Sequence, residues 1–430
     1  MQLKNKKFIT INLGCRANAY ETNCISSDFI ACGAIKVNSI KDADICLINT
    51  CSVTNKADSK SKYSINRVLR ENKNILLVVM GCFSQTNPDY FKDFKNTIVI
   101  GNKYKNKVVD LIKEYKKKSI IKVENFSNIT KFEKFNNISF IDNTRAFLKI
   151  QDGCNYMCSY CIIPFSRGRQ RSLDHKIVLN EIKELSKTHR EIVLTGINTA
   201  GYLDDSKVDF FNLLKKINEI KGDFRIRISS IEPFQINHQI INLISNNSRF
   251  CQHIHLCLQS GSNQVLHSMN RRYTTDEFYS LVKYIRSKNK NMSITTDYIV
   301  GFNNETDKYF DESLKFLNKV RFANMHIFPY SPRKYTAANM IGNPVNESAK
   351  TNRFKIVNEI NNKYTNKHLK QFINKTVNVL FEKPKQKNVQ TGHSEYFFKV
   401  NVNTCKPLHN QILKIKITQV INNNVFGIIK

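Results

Sequence analysis

The chain has 430 residues, 67 Lys and Arg against 35 Asp and Glu, a formal net charge of +32, 41% hydrophobic residues and no Trp. At roughly 100–200 residues per domain this length predicts two to four domains, and the apolar fraction excludes a disordered tail. No run of about 18 apolar residues marks a membrane span, and the start lacks a secretory signal, so a cytoplasmic protein without membrane contact is expected.

The first hundred residues alternate apolar runs with helical stretches, the α/β signature. Phe8 to Leu13, Ile45 to Ile48 and Ile75 to Met80 read as strands, with helices near Ala19 to Ala31 and Lys56 to Arg70. Cys15, Cys51 and Cys82 each fall just past the end of one of these strands, the edge where open α/β sheets bind ligands. Residues 102–143 are rich in Lys and Asn and weakly periodic, which predicts the end of the first domain and a linker.

A second α/β series follows, with strands expected at Phe147 to Gln151, Ile192 to Thr195, Phe224 to Ser229, His253 to Leu258, Ser293 to Val300 and Ala323 to Phe328. Amphipathic helices between them suit an incomplete parallel barrel, whose active site lies at the carboxyl ends of its strands. A long helix near Asn346 to Leu369 closes the series. Five short strands then predict a small all-β barrel. The expected divisions are 1–110, 111–143, 144–370 and 371–430.

Twelve Cys in a reducing compartment point to metal or catalytic work rather than disulfides. Cys154, Cys158 and Cys161 form C-x3-C-x2-C directly after the first strand of the second series. Soft thiolates favour iron-sulfur clusters, and three ligands on one loop leave the fourth corner of a cubane open to an external molecule. Arg167, Arg169 and Arg171 follow at close spacing and suit bidentate phosphate contact, with pairing to carboxylates at the barrel mouth as the alternative. Asp152, Glu232 and Asp297 are strand-end carboxylates available to take a proton. The basic excess fits a polyanion such as RNA. An AT-rich genome, which inflates Lys, Asn and Ile together, produces the same excess, so charge alone assigns no site.

The stretch GCNYMCSYCIIPFSRGRQRS (153–172) resembles the cluster loop of radical S-adenosylmethionine enzymes, specifically of the methylthiotransferase family. The resemblance extends through LGCRANAYET (13–22), NTCSVTNKAD (49–58), GCFSQ (81–85), LTGIN (194–198), RISSIEP (227–233), HIHLCLQSGS (253–262), MNRRYT (269–274) and ITTDYIVGF (294–302). It implies two [4Fe-4S] clusters, one on Cys154, Cys158 and Cys161 and a second on Cys15, Cys51 and Cys82, and S-adenosylmethionine as cosubstrate. Tyr160, Gly196, Asn198, Ser229, Gln259, Gly301 and Glu305 are implied to hold that cosubstrate. A TRAM-like terminal β domain, with Lys383, Lys385 and Lys387, is implied to bind tRNA together with the three arginines. An electron donor of the flavodoxin type and a sulfur donor would be partners.

The motifs resemble the branch acting on threonylcarbamoyladenosine next to the anticodon. The isopentenyladenosine branch, or a non-catalytic iron-sulfur RNA-binding relic, is the alternative. Two departures stand out: Asn303-Asn304 where Pro-Gly is usual, and Tyr335 to Ala338 where Gly-Thr-Pro-Ala is usual. Pro fixes φ and Gly permits positive φ, so both segments are expected to be looser.

Overall fold

Strands β1 (Lys7–Asn12), β2 (Ile35–Lys36), β3 (Ile45–Thr50), β4 (Leu76–Gly81), β5 (Thr97–Ile100) and β6 (Ile120–Lys122) form one parallel sheet in the order β2-β1-β3-β4-β5-β6. The computed structural model describes residues 1–135, 143–384 and 386–430. β3 and β4 are buried along their whole length, as near-continuous apolar strands covered on both faces must be. Helix α1 (Arg16–Ala31) covers one face and α2 (Asn55–Glu71) the other. The segment expected to be mostly linker contributes a helix, Val108–Glu114, and the edge strand β6. It therefore belongs to this sheet up to Lys122. Its few apolar residues, such as Leu111, Ile112 and Ile120, bury against the sheet without a readable period. The remainder of the expected linker falls partly at 136–142, outside the described residues.

The second unit is an open parallel barrel. β7 (Ala146–Lys149) pairs with β10 (Glu191–Thr195), which pairs with β11 (Arg225–Ile228). β12 (Ser230–Ile231), β13 (His253–Leu256), β14 (Ser293–Val300) and β15 (Asn324–Pro329) continue the wall. Between β7 and β10, the short antiparallel pair β8 (Gln151–Asp152) and β9 (Arg171–Ser172) brings the two ends of residues 153–170 together. α1 lies against β7, and one hydrophobic cluster runs from the first sheet into the barrel.

A 24-residue helix, Glu347–Lys370, packs on β15 and leads into the terminal unit. There β16 (Thr376–Phe381), β17 (Val389–Ser394), β18 (Lys399–Asn403), β19 (Ile412–Ile421) and β20 (Asn424–Ile429) close a barrel in the order β16-β17-β18-β20-β19. Its own core includes Phe372, Val379, Phe381, Val400 and Ile415. Its attachment is electrostatic. Arg225 donates to the carbonyls of Asn378 and His393 at 3.0 and 2.8 Å, and Arg227 to that of Ser394 at 2.9 Å. Glu191, fully buried, holds both guanidiniums at 2.7 Å. No helix among the described residues is long and apolar enough to cross a membrane.

Candidate active site between the sheet edge and the barrel mouth

The register of the first sheet brings three cysteines together. Asn12 pairs with Asn49 across β1 and β3, and Thr50 with Gly81 across β3 and β4. Cys15, Cys51 and Cys82 therefore leave the carboxyl edges of three adjacent strands. Cys15 is the N-cap of α1, and Cys82 opens the short helix α3 (Cys82–Thr86). Gly81 has φ of 108°, and a Cβ there would lie 2.5 Å from the Thr50 carbonyl oxygen, so only glycine lets β4 turn this close to β3. Burial pushes the Cys51 thiol up to about 12, with Cys82 and Cys15 adding to the rise. Such a thiol stays protonated until a soft cation displaces its proton.

The second triad stands on the β8–β9 ladder. Gly153, at φ 69°, has Arg169 backbone where a Cβ would be, and the Cys154 N–H donates to the Gly168 carbonyl at 3.1 Å. The Cys161 N–H donates to Cys158 O at 3.0 Å and the Ser159 N–H to Met269 O at 3.1 Å. Burial pushes Cys154 up to about 11 and Cys158 and Cys161 upward as well. Arg271, which the sequence reading did not single out, reaches Cys158 Sγ at 3.3 Å and forms an ion pair with Glu232.

The compact His, Cys and carboxylate groups among the described residues, with ligand atoms within 4.8 Å, are His255, Cys257, Asp297 and Asp174, His175, Asp204. The two cysteine triads are more open than these. A single zinc with bonds of about 2.3 Å would need tighter sulfurs, whereas an open all-thiolate set of three, with no compact fourth ligand among the described residues, suits an iron-sulfur cluster. Asn102 ties the first triad to the short helix that follows the second: its Nδ2 lies 3.6 Å from Cys82 Sγ and donates to the Ser166 carbonyl at 2.8 Å.

The residues expected at the cosubstrate line the same mouth. Tyr160 packs edge-on against Phe302, ring centroids 6.3 Å apart, which sets it beside the loop 301–305. Gly196 and Asn198 sit against Gln151, whose Oε1 accepts from the Asn198 N–H at 2.8 Å. Ser229 Oγ meets Thr199 Oγ1 at 2.7 Å. Gln259 has φ of 68°, and its backbone bonds to Asp297 and Ile299. Glu305 is turned into the protein: its carboxylate accepts from the Gly301 N–H at 2.7 Å and from Arg353 at 2.9 Å, so it braces the loop. The expected looseness at Asn303-Asn304 is not seen. The Asn303 amide donates to the carbonyls of Ala338 and Ile341, both at 2.8 Å, and Asn304 takes the left-handed conformation at φ 63°. The departing segment at 335–338 is held by the Ala338 N–H on Ser159 O at 2.7 Å.

Two of the three arginines expected on RNA are elsewhere. Arg167 is 0% exposed, with Nη1 at 2.9 Å from both Glu21 and Asp152, and Arg171 is buried at 3.0 Å from Asp152. Lys149 and Lys105 complete this cluster on Glu21. A guanidinium buried on a carboxylate, from the end of a short helix for Arg167 and from β9 for Arg171, has no route to a phosphate, so carboxylate pairing is the correct reading for both. Burial would raise the carboxyls, but Arg167 with Lys105 and Lys149 holds Glu21, and Arg167 with Lys149 and Arg171 holds Asp152, well below the usual range. Asp152 is thereby removed as a proton acceptor. Arg169, Lys383 and Lys387 are exposed, and Lys385 lies outside the described residues. Glu21, within LGCRANAYET, was missed; a charged residue in the middle of an otherwise buried helix face was the available signal.

Family models match in two places: residues 148–317 fit the radical SAM superfamily, and residues 7–101 fit an uncharacterized protein family, UPF0004. The chain is 34% identical to the threonylcarbamoyladenosine tRNA methylthiotransferase MtaB of Bacillus subtilis, over 94% of this chain and 92% of that one. It is 36% identical to the MtaB of Thermotoga maritima, over 90% and 89%. It is also 32% identical to the tRNA-2-methylthio-N(6)-dimethylallyladenosine synthase of Clostridium novyi, over 98% and 96%. Among solved structures, the radical S-adenosylmethionine methyltransferase TsrM of Kitasatospora setae superposes with a TM-score of 0.57 at 13% identity, covering 78% of this chain and 77% of that one. That likeness is one of fold.

Proposed function

The chain belongs to the methylthiotransferase family of radical S-adenosylmethionine enzymes that act on tRNA, and on that premise we propose that it methylthiolates C2 of N6-threonylcarbamoyladenosine at position 37, next to the anticodon. The observation that carries the reaction type is the pair of three-cysteine sites, one on a sheet edge and one on a barrel loop, with Asn102 bridging Cys82 to the helix after that loop. MtaB-named relatives at 34–36% identity support the threonylcarbamoyl substrate.

When bound, an iron-sulfur cluster and S-adenosylmethionine supply one-electron cleavage of the sulfonium and hydrogen abstraction from the base carbon. The protein's part is holding and positioning. Cys154, Cys158 and Cys161 hold the first cluster, and Arg271 places positive charge 3.3 Å from one of its sulfurs. Cys15, Cys51 and Cys82 would hold the second, whose chemistry would be supply of the sulfur. Tyr160 and the braced loop 301–305 bound the adenine side of the cosubstrate, while Gly196, Asn198, Ser229 and Gln259 bound its methionine side. Asp297 stands 3.3 Å from His255 Nε2; the single hydrogen of C2 leaves as an atom, so the reaction gives this carboxylate no proton to take at that carbon. Arg169, Lys383 and Lys387 offer exposed positive charge to the tRNA backbone. A flavodoxin-type reductant and a separate sulfur source would serve the clusters in the cytoplasm.

Mass spectrometry of tRNA nucleosides from cells with and without the gene tests the substrate. The 2-methylthio derivative of threonylcarbamoyladenosine should vanish in its absence. Loss of the isopentenyl derivative instead would assign the other substrate.

A further inference from the structure

Alternate residues of the barrel strands face inward, and in this barrel the inward column is polar. It runs Arg225, Arg227 on β11, His253, His255 on β13, Thr295, Asp297 on β14 and His326, Phe328 on β15. The cysteine loops lie at the carboxyl ends of these strands, so Arg227 and His253 mark the opposite end, the floor. Phe397 closes that floor from below. It is the tip of the β17–β18 hairpin, holds φ of 75°, stacks on His253 at 4.4 Å between ring centroids, and lies 5.1 Å from the Arg227 guanidinium. A bulky residue at positive φ is costly and persists where its surroundings fix it.

Arg16, the residue after Cys15, reaches this floor from the first sheet. Its guanidinium stands 5.7 Å over the Phe397 ring, near Arg145, Arg227, His253 and His326. Among the described residues it has no hydrogen bond and no ion pair. Glu191, the nearest carboxylate to act on it, is already held by Arg225 and Arg227. The other arginines of the chamber wall, Arg145, Arg225, Arg227 and Arg271, each have a carboxylate. A half-buried guanidinium among other cations, acted on only at a distance by the shared Glu191 and by the Cys15 sulfur and with no direct counter-ion among the described residues, is expensive. His253 also leaves Nδ1 unfilled in a buried position, its Nε2 being taken by Thr295 at 2.8 Å. The floor thus presents an unpaired guanidinium and an imidazole nitrogen without a partner.

We infer that Arg16, with His253 and Phe397, forms a carboxylate-binding site on the floor of the barrel chamber, and that its ligand is the carboxylate ending the N6 substituent of the substrate base. The inference rests on the threonylcarbamoyl reading. C2 and C6 flank N1 of the adenine, so when C2 is turned to the cysteine loops the N6 substituent points away from them, down the chamber. His326 and Phe328, both exposed to solvent on the inner face of β15, flank that path, and Phe328 offers a ring for the base to stack on. A threonylcarbamoyl group ends in a carboxylate that a guanidinium fork accepts in bidentate fashion. An isopentenyl group carries no charge and would leave Arg16 unpaired, so the same residue selects against it.

The test uses the full chain with both clusters reconstituted anaerobically, and anticodon stem-loop RNAs carrying threonylcarbamoyladenosine, its methyl ester, isopentenyladenosine or plain adenosine at position 37. Affinity is read by fluorescence anisotropy, turnover by mass spectrometry. The unsubstituted enzyme should bind the acid at least tenfold tighter than the methyl ester, which needs no variant. Arg16→Gln should reduce affinity for the acid to the level of the ester and leave the ester and plain RNAs unchanged, with iron content retained; Arg16→Lys should keep part of the preference. Equal affinity of the unsubstituted enzyme for acid and ester, or a preference that survives Arg16→Gln, overturns the role of Arg16 while turnover of the acid RNA still upholds the substrate. Turnover of the isopentenyl RNA alone overturns the substrate reading and the site with it.

Discussion

Arg167 Nη1 lies 2.9 Å from Glu21 Oε1 across 146 residues of chain, and both side chains are buried. The pair joins helix α1 of the first sheet to the cluster loop of the barrel, so the two cysteine sites are held relative to one another by charge as well as by apolar packing. The same guanidinium reaches Asp152 at 2.9 Å. Arg167 therefore has a fixed structural task, in contrast to the unpaired Arg16 one turn upstream of Glu21.

Substituting Arg167 by Met leaves Glu21 and Asp152 without their main counter-charge. A loss of about 3–5 kcal/mol is expected, read as a lowered thermal midpoint of the metal-free chain. The pH dependence follows from the same carboxyls. Their folded values lie well below the unfolded ones, so in acid the unfolded chain binds more protons and stability falls as pH falls. Thermal midpoints should hold from neutrality to about pH 4, the unfolded carboxyl range, and drop below it; in Arg167→Met, whose folded carboxyls are less depressed, the drop below that pH should be smaller.

Each cysteine triad should account for its own cluster. Cys158→Ala and Cys51→Ala should each lower bound iron by about four per chain after reconstitution. Only Cys158→Ala should abolish release of 5′-deoxyadenosine from S-adenosylmethionine, while Cys51→Ala should keep it and lose the methylthio product. Loss of cleavage in both would falsify the division of labour.

Asn303 replaces a ring constraint with two hydrogen bonds to Ala338 and Ile341. Asn303→Ala removes both, leaving two buried carbonyls short of a donor at a cost of about 1–3 kcal/mol. The expected readout is a raised KM for S-adenosylmethionine with unchanged iron content. Asn304→Gly, at φ 63°, should be tolerated, whereas Asn304→Val should impair cosubstrate binding because a β-branched residue resists that conformation.

Glu191 is the shared anion under Arg225 and Arg227. Glu191→Ala strands two buried guanidiniums and should cost about 3–5 kcal/mol. Because both arginines also donate to carbonyls of the terminal barrel, hydrogen exchange should rise at Asn378 and at 393–395 before it rises in the first sheet.

Lys383 and Lys387, exposed like Arg169, are among the proposed tRNA contacts. Replacing either by Ala should weaken tRNA binding about equally for all sequences and reduce the slope of log affinity against log salt by about one. Arg171→Lys should leave that slope unchanged, since the side chain at 171 is buried on Asp152.

Local chemistry carried much of this protein on its own. Strand periods, turn residues and the C-x3-C-x2-C loop pointed to three units, the order of their elements and one candidate ligand triad, because backbone propensity and ligand spacing are short-range properties written within a few residues. Even Cys15, Cys51 and Cys82 were placed at strand ends, though their convergence awaited the β1-β3-β4 register. The tertiary structure decided the rest, and it decided it for charge. Arg167, Arg169 and Arg171 read alike as phosphate ligands, yet two are buried on Asp152 and one is exposed, and Arg16 became a candidate only once its surroundings lacked an anion. The fate of a charge depends on which opposite charge folding brings within about 3–4 Å and on how much water is removed around it, and for Arg167 those partners stand 15 positions away, at Asp152, and 146 positions away, at Glu21.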